Sequence, residues 1–104
     1  VYSLASIAKP KELLDTLNLA ASNNFITSRD QLFDIILKYG LSGIDIIKQI
    51  QKEIWNLHLE DKDKLKIIDR CGDVEFRMVE GSDEFIQLES LLAFIAYISS
   101  KQIN

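Results

Sequence analysis

The chain has 104 residues, of which 47% are hydrophobic and 27% charged, with a net charge of −4. That length fits one domain with a single core and leaves little room for a helix buried on every side. The composition is that of a globular protein rather than a disordered tail, and the acidic balance argues against direct binding to a phosphate backbone, which needs clustered Lys and Arg.

The first eight residues, VYSLASIA, are apolar and short and predict an extended lead-in or the end of a preceding element. Pro10 suits a first helical turn, and Leu13, Leu14, Leu17, Ala20 and Ala21 repeat after it at helical spacing. The SNN run at 22–24 breaks that pattern. A second helix follows, with Leu32, Phe33, Ile35, Ile36 and Tyr39 as its apolar face. Its start is either Asn24 or a capping box made by Ser28 and Gln31, and Gly40 is placed to end it in a left-handed conformation.

Ser42 is the expected N-cap of a third helix, with Asp45 in the first turn, where the helix dipole favours negative charge. Ile46, Ile47, Ile50, Ile54 and Leu57 form its inward stripe, whereas Ile44 and Trp55 lie off it. The fourth helix, about 61–80, opens on the mixed-charge run EDKDKLK, read as a solvated start. It has Leu65, Ile68, Phe76 and Val79 on one side and Ile67, Cys71, Val74 and Met78 on an adjoining side. Such a wide apolar arc predicts neighbours on two sides, and Gly72 within it predicts a close helix crossing. Gly81 ends this helix, and Ser82 or Asp83 caps the fifth.

The fifth helix poses a question of its own. At roughly 100° per residue, Leu88, Leu91, Leu92, Ile95 and Ile98 share one face, while Ile86, Phe94 and Tyr97 fall on the opposite face with Ala93 beside them. A surface helix is apolar on one stripe only. No alternating pattern is long enough for a sheet. The expected fold is therefore all-α, a bundle of about five helices over residues 10–104 preceded by an extended lead-in at 1–9.

Chemistry is hard to find along this chain. It has no glycine-rich phosphate loop and no Cys/His metal spacing. His58 is the single histidine and stands near no recognisable nucleophile motif, so it reads as a partly exposed helix end. Glu80, Asp83, Glu84 and Glu89 gather at a helix junction, where negative charge favours an N-terminus. Cys71 is alone, cannot form an internal disulfide, suits a reducing compartment and reads as a small core residue. No run approaches the roughly 18 apolar residues of a membrane span. The chain starts at Val1 without a secretory pattern, which predicts a piece of something longer. No catalytic, cofactor-binding or metal-ligating residue is assigned.

Two stretches carry a resemblance. GLSGIDIIKQIQKEIWNL at 40–57 supplies Gly40, Leu41, Ser42, Gly43 and Asp45, then Glu53, Ile54, Trp55, Asn56 and Leu57. FRMVEGSDEFIQLESLLA at 76–93 supplies Phe76, Arg77, Val79, Glu80, Gly81, Glu84, Ile86, Gln87, Leu88, Leu91, Leu92 and Ala93. In order and spacing these resemble the C-terminal domain of the small subunit of replication factor C, the sliding-clamp loader, most closely its archaeal form. Cys71, Phe85, Ser90 and Phe94 depart from that pattern, and the two phenylalanines make the final helix more apolar than is usual.

The resemblance implies a helical collar domain that follows a two-domain ATPase module, residues 1–9 being the join from the module's lid. Such domains pack into a ring of large and small subunits and hold the ATPase modules together while the clamp is opened and placed on primed DNA. ATP and Mg would belong to the absent N-terminal module, so this part would carry no catalysis and no cofactor. Partners would be the other loader subunits, with the clamp and DNA reached only through the full complex and no membrane involved. The setting would be cytoplasmic in an archaeal cell and nuclear in a eukaryote. Trp55, Ile86, Phe94 and Tyr97 are then the expected subunit-interface residues. A different class of reading is a helical adaptor that receives an amphipathic peptide in a groove.

Overall fold

Helix ends fall where the sequence supplies the chemistry to make them. The computed structural model describes residues 8–101, so most of the expected 1–9 lead-in lies outside the described residues. The order is α1 (Pro10–Ala21), α2 (Phe25–Tyr39), α3 (Gly43–Glu53), a single 3₁₀ turn (Ile54–Asn56), α4 (Asp61–Val79) and α5 (Glu84–Lys101). There is no strand among the described residues. Pro10 opens α1, where its missing N–H has no partner to lose. Gly40 closes α2 at φ 63°, which a residue without Cβ adopts at no steric cost. The Ser42 hydroxyl accepts the Asp45 N–H at 3.1 Å to cap α3, and Asp83 Oδ1 accepts the Ile86 N–H at 2.9 Å to cap α5.

The core lies around α5, which packs against all four other helices. Leu88, Leu91, Leu92 and Ile95 are fully enclosed and meet Leu13 and Leu17 of α1, Leu32 of α2, Ile46, Ile47 and Ile50 of α3, and Ile67 and Val74 of α4 in one cluster. The predicted inward stripes of α1, α3 and α5 are thus the ones that are buried. Backbone just ahead of α1 is tied down as well. Gln49 on α3 accepts the Ala8 N–H at 3.1 Å and donates to the Ala8 carbonyl at 2.7 Å, pairing both polar groups of a fully buried residue.

Several expectations are corrected. Of the two starts expected for α2, Asn24 is the one found, as N-cap before Phe25; Ser28 forms no capping box, and its buried hydroxyl bonds the Phe25 carbonyl at 2.7 Å inside the first turn. The third helix stops at Glu53 and tightens into the 3₁₀ turn, which still turns Ile54 and Leu57 inward. Ile44, off the α3 stripe, packs partly against the core. Gly72 marks no helix crossing: it is exposed, and a Cβ there would meet nothing within 4 Å. Nor is α4 covered on both apolar sides: Ile67, Cys71, Val74 and Met78 are buried, whereas on the other side only Ile68 packs partly against the core and Leu65, Phe76 and Val79 are exposed.

Polar ties join α1 to α2. The Tyr39 hydroxyl donates to Glu12 Oε1 at 2.5 Å, and Lys38 Nζ donates to Glu12 Oε2 at 3.1 Å. The Tyr39 bond, then the lysine, hold the Glu12 carboxyl below its ordinary value of 4.5. A depressed carboxylate contributes stability that is present above the unfolded-state value and is lost as pH falls through the folded one. Tyr39→Phe is therefore expected to move the Glu12 carboxyl titration, followed by ¹³C NMR, up towards 4.5, and to soften the acid loss of stability below that pH. An unshifted titration would show that the lysine alone sets it.

Candidate subunit interface

Both motif stretches meet at one junction. The N-terminus of α3 faces the start of α5, where Glu84 Oε1 accepts the Gly43 N–H at 2.7 Å. This carboxylate satisfies a donor that the helix cannot pair internally, and it sits at the positive end of the α3 dipole. Gly43 is required for the approach, since a Cβ there would lie 2.6 Å from Glu84 Cβ. Asp83 and Glu84 thus have structural work to do at this junction. Glu89 likewise pairs with Arg29 of α2 at 3.5 Å.

Of the four residues expected at an interface, Ile86 and Tyr97 share one strip of α5 and are 63% and 59% exposed. Exposed Ser90 and Ala93 lie between them on the same side. Phe94 is set differently. It is half-buried, packs on the core and lies under the Arg70 guanidinium, 3.9 Å from the ring centroid. Trp55 stands apart on the 3₁₀ turn, half exposed, with Lys64 Nζ 5.6 Å from its ring and bonded to its carbonyl at 2.9 Å. The structure therefore gathers two of the four into one strip and places the other two elsewhere.

Reading the sequence alone missed two further exposed faces. On α4, Leu65, Phe76 and Val79 form a stripe with Gly72 in its middle, and Phe76 is 62% exposed. On α2, Ile26 and Leu37 are exposed on the side of Phe33, whose ring meets Phe85 of α5 edge-on at 5.3 Å. The available signal was spacing: residues 26, 33 and 37, and residues 65, 72, 76 and 79, recur at helical intervals away from the buried stripes. Scattered exposed apolar residues need no explanation, but apolar residues that share one outer side on each of three helices do.

Enclosed chemistry is scarce. A shallow groove of about 200 Å³ lies between α3 and α4, lined by Ile47, Lys48, Gln51, Cys71, Gly72 and Glu75. That is below the roughly 300–1,000 Å³ of small-molecule sites. Burial pushes the Cys71 thiol up to about 12, so it stays protonated and unreactive at neutral pH. His58 is exposed. Among the described residues no group of three or more His, Cys, Asp or Glu could hold a metal ion, and no helix is long and apolar enough to cross a membrane.

Comparison with known proteins bears on these surfaces. The family described as the replication factor C C-terminal domain matches residues 8–94. The chain belongs to that family. It is 43% identical over 101 residues to the replication factor C small subunit of Pyrococcus furiosus, covering 97% of this chain and 12% of that protein. The small subunits of Sulfolobus acidocaldarius and Staphylothermus marinus are 45% and 40% identical over 103 residues, again covering 97% of this chain, and 32% and 31% of theirs. This replication factor C C-terminal domain thus spans between 12% and 32% of the length of these relatives. The Gly43–Glu84 junction and all three exposed faces begin within the matched region, and of the residues named on them only Tyr97 lies past its end.

Proposed function

We propose that this domain is the collar of a clamp-loader small subunit. It holds neighbouring subunits together while an ATP-driven loader opens the sliding clamp and places it on primed DNA. ATP and Mg would bind in the remainder of the parent protein, and this domain would act without catalysis, in the cytoplasm, through contacts with small and large loader subunits. The clamp and DNA would be reached only through the complete assembly. Family membership supports this reading, and one observation carries it: a closed core leaves aromatic and aliphatic stripes on α2, α4 and α5 in water. Lasting subunit contacts are apolar at their centre. Covering Ile86 and Tyr97 would contribute about 1.5–3 kcal/mol each before the costs of association.

A ring built from repeated head-to-tail contacts needs two different faces on each subunit, and this domain has more than one to offer. The adaptor reading would use the small groove between α3 and α4. Sedimentation velocity separates the two. The wild-type chain, 11.9 kDa, is expected to form larger species alone or with sibling subunits. Ile86→Glu with Tyr97→Glu should abolish them while the far-ultraviolet circular dichroism stays helical. A wild type that associates only with an added amphipathic peptide would replace the collar with the adaptor.

A further inference from the structure

Helix α4 and its C-cap Glu80 carry two parallel ridges of opposite charge. Lys66, Arg70 and Arg77 follow one another at steps of four and seven residues, and Asp69, Asp73 and Glu80 repeat those steps three residues later. At 3.6 residues per turn, a three-residue offset sets the acidic ridge roughly 60° around the helix from the basic one. Lys66, Arg77 and the three acids are exposed; Arg70 is half-buried on Phe94. Among the described residues none of the six takes part in an ion pair. Each ridge also borders an apolar stripe. The acidic ridge runs beside Leu65, Phe76 and Val79, and the basic ridge leans through Arg70 onto α5, which bears Ile86 and Tyr97.

We infer that a second copy of this chain docks head to tail on this surface, its basic α4 ridge against the acidic α4 ridge of the first. The α5 strip with Ile86 and Tyr97 on one copy then covers the Leu65–Phe76–Val79 stripe of the other. This rests on the collar reading and names the two faces that meet. Register decides the direction. Steps of four and seven residues rise about 6 and 10.5 Å, so the ridges match when the two α4 helices run the same way. An antiparallel, two-fold pairing puts the middle charges out of register by about 4.5 Å. Rotation about a ring axis gives every copy the same sense along that axis, as a closed head-to-tail ring requires. Charge on such ridges sets the partner, direction and rate of encounter, and the apolar stripes hold the contact.

The test is a ridge swap followed by sedimentation velocity on the 104-residue chain. Lys66→Glu/Arg77→Glu leaves Arg70 as the one cation on the two ridges, and Asp69→Lys/Asp73→Lys leaves Glu80 as their one anion. Each variant alone should associate roughly a hundredfold more weakly than wild type. An equimolar mixture should recover association, because opposite ridges then face each other at every contact. Lys9→Glu/Lys11→Glu, with the same change in net charge as Lys66→Glu/Arg77→Glu, should behave as wild type. Variants that assemble like wild type, or a mixture that stays monomeric, would overturn the ridge pairing and leave the collar reading standing. A wild type that remains at 11.9 kDa both alone and with sibling subunits would take down both.

Discussion

Gly43→Ala is expected to lower the melting temperature of the domain by roughly 5–20 °C, a loss of about 1–3 kcal/mol. The added methyl would stand 2.6 Å from Glu84 Cβ and 2.7 Å from Glu84 Oε1. Real Cβ contacts are not that close, so either α3 or the start of α5 must move. The flexible end of Glu84 cannot absorb the strain, because its own Cβ is the nearest atom. Moving it also breaks the 2.7 Å bond to the Gly43 N–H and uncovers an α3 donor. Alanine is otherwise the better helix former, so a stabilised variant would refute the close approach outright. A double-mutant cycle sharpens the result. Glu84→Ala should cost clearly less in the Gly43→Ala background than in wild type, since the bond is already lost there. Thermal unfolding followed by circular dichroism checks both.

That junction also shows how far the sequence could be read. Ser42 and Asp83 as caps, Gly40 as a left-handed end and the buried leucines of α5 are local facts, settled by residues within one or two turns of each other. Gly43 is different. Its partner arrives from 41 residues away, so nothing near it in the chain distinguishes it from Gly72, which was expected at a crossing and stands in open space. Periodicity has the same limit. It tells which side chains share a face, not whether a neighbour covers that face. Phe76 and Val74 are two residues apart and each is flanked by charged residues, yet α5 and α3 leave one in water and enclose the other. Ser28 failed as a cap because Phe25 could start the helix earlier and the hydroxyl found a carbonyl within the turn. The absence of catalytic residues was an inference from missing motifs. The exposed strips became visible only once each helix had a place.

Leu92→Ala and Tyr97→Ala should separate folding from assembly on a single helix. Leu92 is fully enclosed on the face of α5 that meets the other four helices. Truncating it removes buried methyl groups and leaves a void that a close-packed core fills only in part, a loss of about 2–5 kcal/mol. For a domain whose whole stability is about 5–15 kcal/mol, that brings unfolding within reach of mild urea, with the midpoint falling and the slope unchanged. Tyr97 is only five residues on but is turned by roughly 140°, and 59% of its surface is already in water. Its truncation should change stability by about 0.5 kcal/mol or less, while weakening any assembly that depends on the outer strip. If Tyr97→Ala destabilised the isolated chain as much as Leu92→Ala, the outer face would belong to the fold itself and could not be spare surface for a neighbouring subunit.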